Sequence, residues 1–229
     1  MDIIHATGIE GARQARGTVV VIDVLRSFTV SAYALAGGAR ECLLVPTVSE
    51  ARAVASRMPD AVLCAEDQAL PVEGIAISNS PTQIRAVELE GRVLIQRSTA
   101  GVPVVAAVPE DLGMFAASLV VARATVQACL LRRPDALTLI ASADYPEDHA
   151  CALYIEGIIH NDPPDLDQLL RPLRESSRYR RVMSGAWPGF PPTDIELSLM
   201  PDRFDFAMPV DRHDGHLRLT RSGPTDPNS

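Results

Sequence analysis

The sequence contains no lysine, and all 21 of its basic residues are arginine. Chemistry that needs an amine, such as a Schiff base or the lysine of a phosphate-binding P-loop, is therefore excluded. Aromatic residues make up only 4% of the chain, and the formal net charge is −8. Nucleic-acid-binding proteins usually combine a basic face with aromatic residues that stack on bases, so we expect no nucleic-acid partner.

The four cysteines are too far apart in the chain to form a C-x-x-C pair, which argues against a zinc cluster or a redox motif. Each lies in an apolar stretch, where a free cysteine commonly behaves as a small apolar residue. The longest apolar stretch, 112–122, is too short to span a bilayer. Since the N-terminus also lacks a charged-then-apolar leader, we expect a soluble cytoplasmic protein with no membrane partner.

Apolar, strand-like segments alternate with helix-like segments over the first 160 residues. The predicted strands are 18–23, 41–46, 61–65, 92–96, 115–121 and 136–141. The predicted helices are 28–36, 48–57, 81–89, 101–107, 122–132 and 146–160. Such alternation is typical of parallel βαβ units. We therefore predict an α/β fold with three α/β/α layers and a mostly parallel sheet.

The character of the chain changes after residue 160, where the turn-like sequence NDPPD precedes a strongly charged predicted helix at 165–183. A proline- and glycine-rich connection, a short helix and two short strands are predicted to follow. We predict a main α/β region at 1–160 that carries the site and a smaller C-terminal α+β region at 161–222 packed on it. The last residues, 223–229, are predicted to be a disordered tail.

The most informative segment is TVVVIDVLRSFT, in which a buried-strand pattern ends on Asp23. The polar residues Arg26, Ser27 and Thr29 follow within six positions. Ligands of α/β proteins bind beyond the carboxyl ends of the strands, so these groups lie where such proteins place their chemistry. Carboxylate oxygens suit Mg²⁺, and a guanidinium group can bind phosphate or sulfonate through two parallel bonds. On spacing alone, Asp23 could equally cap the next helix, and Arg26 could form a surface ion pair.

Two further loops that precede predicted helices carry polar groups that could bind an anion. Asn79 and Ser80 precede a proline at the start of a predicted helix, where free backbone N–H groups attract anions. The other group follows the apolar run 93–95 and comprises Arg97, Ser98, Thr99 and Gly101. Hydroxyls, a glycine and a helix start can form an anion-binding nest. Plain helix capping in the first case, and an ordinary strand-to-helix turn in the second, are the structural alternatives.

Four segments, in order, resemble the 2-phosphosulfolactate phosphatases, which are magnesium-dependent enzymes of coenzyme M biosynthesis. The segment DVLRSFT (23–29) is similar to the family's opening motif, close to DVLRATTT. The segment CAEDQALPVEGIAISNSP (64–81) resembles its GERGG…GNSP region. The segments RSTAGV (97–102) and EDHACALYIEGII (147–159) fall where the family carries TTNGT and an ED-led helix. The resemblance spans most of the chain.

The resemblance implies further site residues and also shows where this chain departs from the family. Glu66 aligns with the glutamate of GERGG, which implies a metal ligand or a base. Glu147 and Asp148 align with the ED pair, which implies that one of them joins the metal site; their place in a first helical turn would also explain them structurally. The family's Arg-Gly-Gly is replaced by 67–69, Asp-Gln-Ala, and its asparagine by Ala100. Arg97 could supply part of the lost binding.

We therefore expect a Mg²⁺-dependent phosphatase that hydrolyses a small anionic phosphoester. The expected catalytic residues are Asp23, Arg26 and Glu66. The expected metal ligands are Asp23, Glu66, Glu147 and Asp148. The expected substrate-binding residues are Ser27, Thr29, Asn79, Ser80, Arg97, Ser98, Thr99 and Gly101. The expected partners are a small phosphorylated acid as substrate and a second copy of the chain in a dimer.

Two alternatives to this function stay open, as does the chemical route. The chain could be a phosphatase or hydrolase acting on a different small phosphorylated or sulfonated acid, because two of the motifs have drifted. It could also be a noncatalytic relative that kept the fold and an anion pocket. Attack on phosphorus by water and attack by an enzyme carboxylate are equally compatible with the sequence.

Overall fold

The computed structural model describes residues 1–223, in which ten strands form one sheet. The sheet order is β1-β8-β2-β7-β9-β10-β3-β6-β4-β5. The strands are β1 (Asp2–Thr7), β2 (Thr18–Ile22), β3 (Glu41–Leu44), β4 (Val62–Asp67), β5 (Leu70–Pro71), β6 (Val93–Arg97), β7 (Met114–Ala117), β8 (Ala136–Ala141), β9 (Met208–His213) and β10 (His216–Leu219).

Helices connect most of the strands, and four more helices lie between β8 and β9 after the long helix α7. The helices are α1 (Gly8–Arg13), α2 (Ser27–Ala36), α3 (Val48–Ala55), α4 (Pro81–Ile84), α5 (Gly101–Ala107), α6 (Ala122–Leu131), α7 (Pro146–Ile159), α8 (Leu166–Leu169), α9 (Arg171–Glu175), α10 (Ser177–Met183) and α11 (Pro192–Ser198). One turn of 3₁₀-helix, Leu119–Val121, precedes α6.

Two groups of parallel strands make up most of the sheet. In one group β1, β8, β2 and β7 are parallel neighbours, and in the other β3, β6 and β4 are. Every residue of β2 is buried, as is typical of a strand covered on both faces. Val19 and Val21 belong to one apolar cluster, and Val20 and Ile22 to another on the opposite face. The predicted α/β fold, with helices on both faces of a mostly parallel sheet, is confirmed.

The C-terminal hairpin β9–β10 lies inside the sheet. Strand β9 pairs antiparallel with β7, and β10 pairs antiparallel with β3, so the hairpin joins the two parallel groups. The preceding helices contribute Leu173, Val182 and Ile195 to the same apolar cluster as Val20 and Ile22. The domain boundaries at residues 160 and 222 stay predictions. Of the predicted tail 223–229, residues 224–229 lie outside the described residues.

Two further observations concern the cysteines and the length of the helices. All four cysteines are buried and free, as predicted for small apolar side chains. No helix within residues 1–223 combines the length and the apolar character that crossing a membrane requires.

Candidate functional site

A cavity of about 340 Å³ lies where β2, β4 and β6 end. It gathers seven of the residues predicted from the sequence: Asp23, Arg26, Ser27, Glu66, Asn79, Ser98 and Thr99. The rest of its wall consists of Leu25, Gln68, Ala69, Ala100, Tyr145, Arg178, Trp187 and Phe190. The cavity therefore joins residues from distant parts of the chain at the strand ends where ligands of α/β proteins bind.

Asp23 is the first residue after β2, and its carboxyl group is buried in the cavity wall. Helix α5 begins directly against it, since a Cβ atom on Gly101 would lie 2.7 Å from Asp23 Oδ2. Burial raises the pKa of Asp23 to about 7, although the charge of Arg178, the Ser27 hydroxyl and the Gly101 N–H all act to lower it. The charge of Glu147 raises it further. A carboxyl group that titrates near neutral pH suits proton transfer or nucleophilic attack.

Arg26 occupies a strained backbone position immediately before α2. Its φ of +83° is positive, a conformation that non-glycine residues adopt infrequently and at an energetic cost. The guanidinium group is buried over the ring of Phe190, 4.5 Å from the ring centroid, and Nη1 donates a hydrogen bond to the Gly189 carbonyl at 3.2 Å. Burial lowers the pKa of Arg26, while the charges of Glu66 and other nearby acids raise it. The arginine is thus held in place as a cation of the cavity wall.

Glu66 fastens the β4–β5 turn to the end of β6. Its Oε1 accepts a hydrogen bond from Thr99 N at 2.5 Å, and Oε2 accepts bonds from Ala69 N at 2.5 Å and Thr99 Oγ1 at 3.0 Å. Gln68 and Ala69 have φ values of +48° and +63°. Glycine is preferred in this conformation, and the related family motif carries glycines here. In this chain the turn places two non-glycine residues in that conformation, and both line the cavity.

A chain of buried polar groups holds the other two strand ends together. Ser27 Oγ donates to Ser98 Oγ at 3.1 Å. Gln96 donates from Nε2 to Asn79 Oδ1 at 2.7 Å and to the Ser27 carbonyl at 2.8 Å. Gln96 was missed by the sequence analysis because it lies within an apolar strand. These bonds fix the loops after β2 and β6, so the cavity is largely preformed in the free chain.

The acid pair at the start of α7 lies next to Asp23 but does not line the cavity. Asp148 Oδ1 accepts a bond from Val24 N at 2.8 Å, and Oδ2 accepts bonds from Ser142 N at 3.2 Å and Ser142 Oγ at 2.7 Å. Burial, followed by the charge of Asp23, raises the pKa of Asp148. Glu147 is wholly buried; its Oε1 accepts a bond from Arg178 Nη1 at 2.5 Å, and its Oε2 has no hydrogen-bond partner in the structure.

Thr29 and Ser80, predicted to bind substrate, lie behind the cavity wall. The Thr29 hydroxyl donates to the Val24 carbonyl at 2.7 Å and closes the turn that carries Asp23. Ser80 accepts a bond from Gln83 N at the start of α4, and its hydroxyl donates to Asp194 Oδ1 at 2.6 Å. Gly101 likewise packs behind Asp23. In this structure these residues position the site and do not face the cavity.

Arg97 is directed away from the cavity. Its Nη1 lies 3.1 Å from Asp67 Oδ1, donates to the Glu66 carbonyl, and donates to Thr99 Oγ1 at 3.0 Å. The guanidinium group therefore stabilises the β4–β5 turn. The cations on the cavity wall are instead Arg26 and Arg178.

The wall formed by the C-terminal region was not predicted. Arg178 lies 4.2 Å above the Tyr145 ring centroid. Trp187, the only tryptophan of the chain, donates from Nε1 to the Ala69 carbonyl at 3.2 Å and packs near Phe190, with 5.9 Å between the ring centroids. The sequence signals for this wall were the arginine-rich RESSRYRR in a predicted charged helix and the aromatic residues of the loop-like GAWPGFP.

The fit of a metal ion depends on which carboxylate oxygens are still available. Residues 1–223 contain no group of three or more His, Cys, Asp or Glu side chains arranged to hold a metal ion. Both oxygens of Glu66 and of Asp148 already accept hydrogen bonds. The remaining carboxylate donors are Asp23, which the Ser27 hydroxyl and the Gly101 N–H approach, and Glu147 Oε2, which has no hydrogen-bond partner within residues 1–223. Because Mg²⁺ commonly binds through one or two carboxylates together with substrate phosphate and water, this donor set fits such an ion.

Comparison with known proteins gives a consistent result. Residues 4–179 match the family described as 2-phosphosulpholactate phosphatase. A probable 2-phosphosulfolactate phosphatase of Bacillus subtilis is 32% identical over 86% of this chain and 88% of its own. Proteins with the same description from Carboxydothermus hydrogenoformans and Clostridium novyi are 31% and 29% identical, over 62% and 73% of this chain and 60% and 73% of their own. The chain belongs to the 2-phosphosulpholactate phosphatase family.

Proposed function

We propose that this chain is a Mg²⁺-dependent phosphatase that hydrolyses the phosphate ester of a small acid. Membership of its family makes it a phosphoric monoester hydrolase and suggests a metal cofactor in general. The observation that carries the proposal is the buried Asp23 carboxyl group, with a pKa of about 7, in a cavity that also contains the guanidinium groups of Arg26 and Arg178. A carboxyl group that titrates near neutral pH beside two fixed guanidinium groups is suited to chemistry on an anionic ester.

The phosphoryl group would bind among the hydrogen-bond donors at the ends of β2 and β6. Arg26 supplies a buried guanidinium, and Ser98, whose hydroxyl oxygen accepts bonds from Ser27 Oγ and Val102 N, supplies a hydroxyl proton on the cavity wall. Fixed donors of this kind stabilise the charge that builds up on phosphoryl oxygens in the transition state, and they need no reorganisation at the moment of reaction. Since the chain has no lysine, arginine must supply all the cationic side-chain contacts.

Asp23 is the cavity carboxylate available for the reaction. Glu66, the other carboxylate on the wall, is held by three hydrogen bonds from Ala69 and Thr99. As a base, Asp23 would take a proton from the attacking water at one of its carboxylate oxygens. As a nucleophile, the same oxygen would bond to phosphorus and release the alcohol, and water would then hydrolyse the acyl phosphate.

Asp23 and Glu147 are the residues that would hold Mg²⁺. When bound, the ion supplies positive charge that neutralises the phosphoryl oxygens. Glu66 and Asp148, which the sequence also suggested as ligands, would act instead by holding the turn after β4 and the loops after β2 and β8.

The proposed function is tested by measuring phosphate release from a panel of phosphorylated hydroxy acids, 2-phosphosulfolactate included. The parent chain is assayed with Mg²⁺ and again with excess EDTA. We expect release with Mg²⁺ and loss of release in EDTA that is restored when Mg²⁺ is added back. Full activity in EDTA would contradict the metal requirement, and no release from any ester would contradict the phosphatase.

The two routes are distinguished by quenching a single turnover in acid and measuring the mass of the intact protein by mass spectrometry. Attack by Asp23 predicts that the mass of the protein rises by one phosphoryl group during turnover, and that peptide mapping places the group on Asp23. Attack by water predicts an unchanged protein mass at every time point.

A further inference from the structure

The side-chain amide of Gln96 joins two of the loops that form the cavity. Gln96 lies near the carboxyl end of β6 and is 0% exposed. Its Nε2 donates to the Ser27 carbonyl at 2.8 Å and to Asn79 Oδ1 at 2.7 Å. Its Oε1 accepts a bond from Ser31 Oγ at 2.5 Å. The amide group is therefore fully bonded although it lies inside the protein and does not line the cavity.

The orientation of this amide is set by a backbone carbonyl. A carbonyl oxygen can only accept, so the Gln96 atom that lies 2.8 Å from the Ser27 carbonyl must be Nε2. The second proton of Nε2 is directed at the side chain of Asn79, and the atom that receives it must be the acceptor Oδ1. A Gln96 amide turned the other way would place its oxygen against the carbonyl, and a buried acceptor without a donor is costly.

The orientation of the Asn79 amide follows from that of Gln96. Asn79 is 2% exposed and lines the cavity, and its φ of +58° lies in the left-handed region that asparagine tolerates well. Its Oδ1 is held by Gln96, and the Cys64 thiol also donates to it at 3.8 Å. Within residues 1–223, Nδ2 makes no hydrogen bond. The end of the Asn79 amide that is left for a ligand is therefore the one that carries two N–H donors.

We propose that Gln96 is a positioning residue that fixes the orientation of the Asn79 amide, so that Nδ2 of Asn79 donates to an oxygen of the phosphoryl group. The inference rests on the proposed function, because it takes a phosphoryl group as the ligand of this cavity. A fixed donor binds an anion without first having to turn, whereas a freely rotating amide also presents its oxygen. The competing explanation is that Gln96 only holds the loops together.

The test compares the affinity of inorganic phosphate for the parent chain, Gln96→Glu, Asn79→Gly and the double variant, by calorimetry in Mg²⁺ buffer. Gln96→Glu keeps the shape of the side chain but leaves only an acceptor for Asn79. A protonated glutamate has one proton, which goes to the Ser27 carbonyl because that group cannot turn, so Asn79 turns instead and directs its oxygen at the cavity. Asn79→Gly removes the amide and tolerates the positive φ.

We expect each single variant to bind phosphate about tenfold more weakly or worse, the effect of one lost hydrogen bond to a charged group. If Gln96 acts through Asn79, the double variant binds phosphate within about twofold of Asn79→Gly, because no amide is left to turn. If Gln96 only holds the loops together, the two losses multiply to about a hundredfold, and the inference is overturned. Unchanged affinity in Gln96→Glu, or no phosphate binding by the parent chain, would overturn it as well.

Thr138→Val is the matched control for a loss of stability. Thr138 is a buried polar residue of β8 that bonds to the backbone of Arg16 and does not line the cavity. We expect this variant to have a lower Tm and a phosphate affinity within about twofold of the parent. If Gln96→Glu does not fold, Gln96→Met is used, which removes the Nε2 donor without adding an acceptor. A several-fold loss of affinity that disappears in the Asn79→Gly background is expected, and a loss that persists there would overturn the inference.

Phosphate release from the ester panel, measured on the same preparations, keeps this inference distinguishable from the proposed function. Release by the parent chain together with losses of affinity that multiply would remove the role of Gln96 and leave the phosphatase standing. Phosphate binding with the expected coupling between Gln96 and Asn79, without release from any ester, would support the role of Gln96 and contradict the phosphatase.

Discussion

Replacing the buried Asp23 by asparagine is expected to stabilise the fold at alkaline pH while removing activity. Burial raises the pKa of Asp23 from its ordinary 3.8 to about 7. Between these two values the folded chain holds a proton that the unfolded chain has released, so the free energy of unfolding falls as the pH rises. Asparagine does not titrate, so this decrease in the free energy of unfolding is absent from the variant. The variant should therefore gain stability relative to the parent as the pH rises towards 7.

The size of the effect follows from the difference between the two pKa values. At about 1.4 kcal/mol for each pKa unit, the full difference corresponds to about 4 kcal/mol, of which about 3 kcal/mol falls between pH 5 and pH 8. For a chain of this length, 1 kcal/mol shifts the melting temperature by about 2 to 4 °C. The melting temperature of Asp23→Asn minus that of the parent should therefore be about 6 to 12 °C larger at pH 8 than at pH 5.

The measurement is thermal unfolding of both proteins across this pH range, in EDTA and without phosphate, so that no ligand contributes. Most other titrating groups are the same in both proteins and cancel in the difference. Asp148 does not, because the charge of Asp23 raises its pKa, and the loss of that charge in the variant shifts the difference in the same direction. A melting-temperature difference that is independent of pH, or that becomes smaller as the pH rises, would refute the reasoning about the buried carboxyl group.

Five further outcomes are expected. Arg26→Lys should raise KM about tenfold, because the charge is kept but the two-pronged contact is lost, and an unchanged KM would count against its role. Gly101→Ala should cost about 1 to 3 kcal/mol in chemical denaturation and lower kcat, since the added Cβ would lie 2.7 Å from Asp23 Oδ2; a fully active variant would show that the contact relaxes. Arg97→Ala should reduce activity more than Arg13→Ala, an exposed control, because Arg97 bonds to the Glu66 carbonyl; equal rates would contradict this. The value of kcat/KM should be lower for 2-phosphosulfolactate than for another small phosphorylated acid, since the side chains of Gln68, Ala69 and Ala100 alter the cavity wall. Light scattering should show that the protein is a dimer in solution.

The core of the site could be predicted because its residues are close in the chain. A buried strand followed within a few positions by Asp23, Arg26 and Ser27 identifies a strand end whose polar groups must face the same edge of the sheet. The same reasoning located the ends of β4 and β6. The direction of each side chain could not be predicted, and Arg97 shows why, because its partner Asp67 lies on a different strand and draws it away from the cavity.

The short helix and the two short strands predicted for the C-terminal region are present as α11, β9 and β10, but their arrangement could not be predicted because it depends on long-range packing. The segment 165–183 reads as one charged helix, but Pro172 and the helix-capping Ser176 divide it into α8, α9 and α10. The contribution of Arg178 to the cavity depends on that division. The hairpin β9–β10 has short strands whose place inside the sheet is set by their partners β7 and β3.

Strand β1 was missed for a local reason. The segment DIIHAT is partly exposed at the edge of the sheet, so the continuous apolar run that identified β2 is absent. An edge strand of this kind is fixed mainly by its pairing with β8.

The most direct test of the central claim, that Asp23 performs the chemistry in this cavity, is the rate of phosphate release by Asp23→Asn relative to the parent. The assay uses Mg²⁺ and the best ester of the panel, and Asp111→Asn is the matched control, because Asp111 is an exposed acid that does not line the cavity. We expect kcat of Asp23→Asn to fall by about a hundredfold or more, the contribution typical of an acid-base group, with Asp111→Asn near the parent rate. A folded Asp23→Asn that releases phosphate at the parent rate would contradict the account.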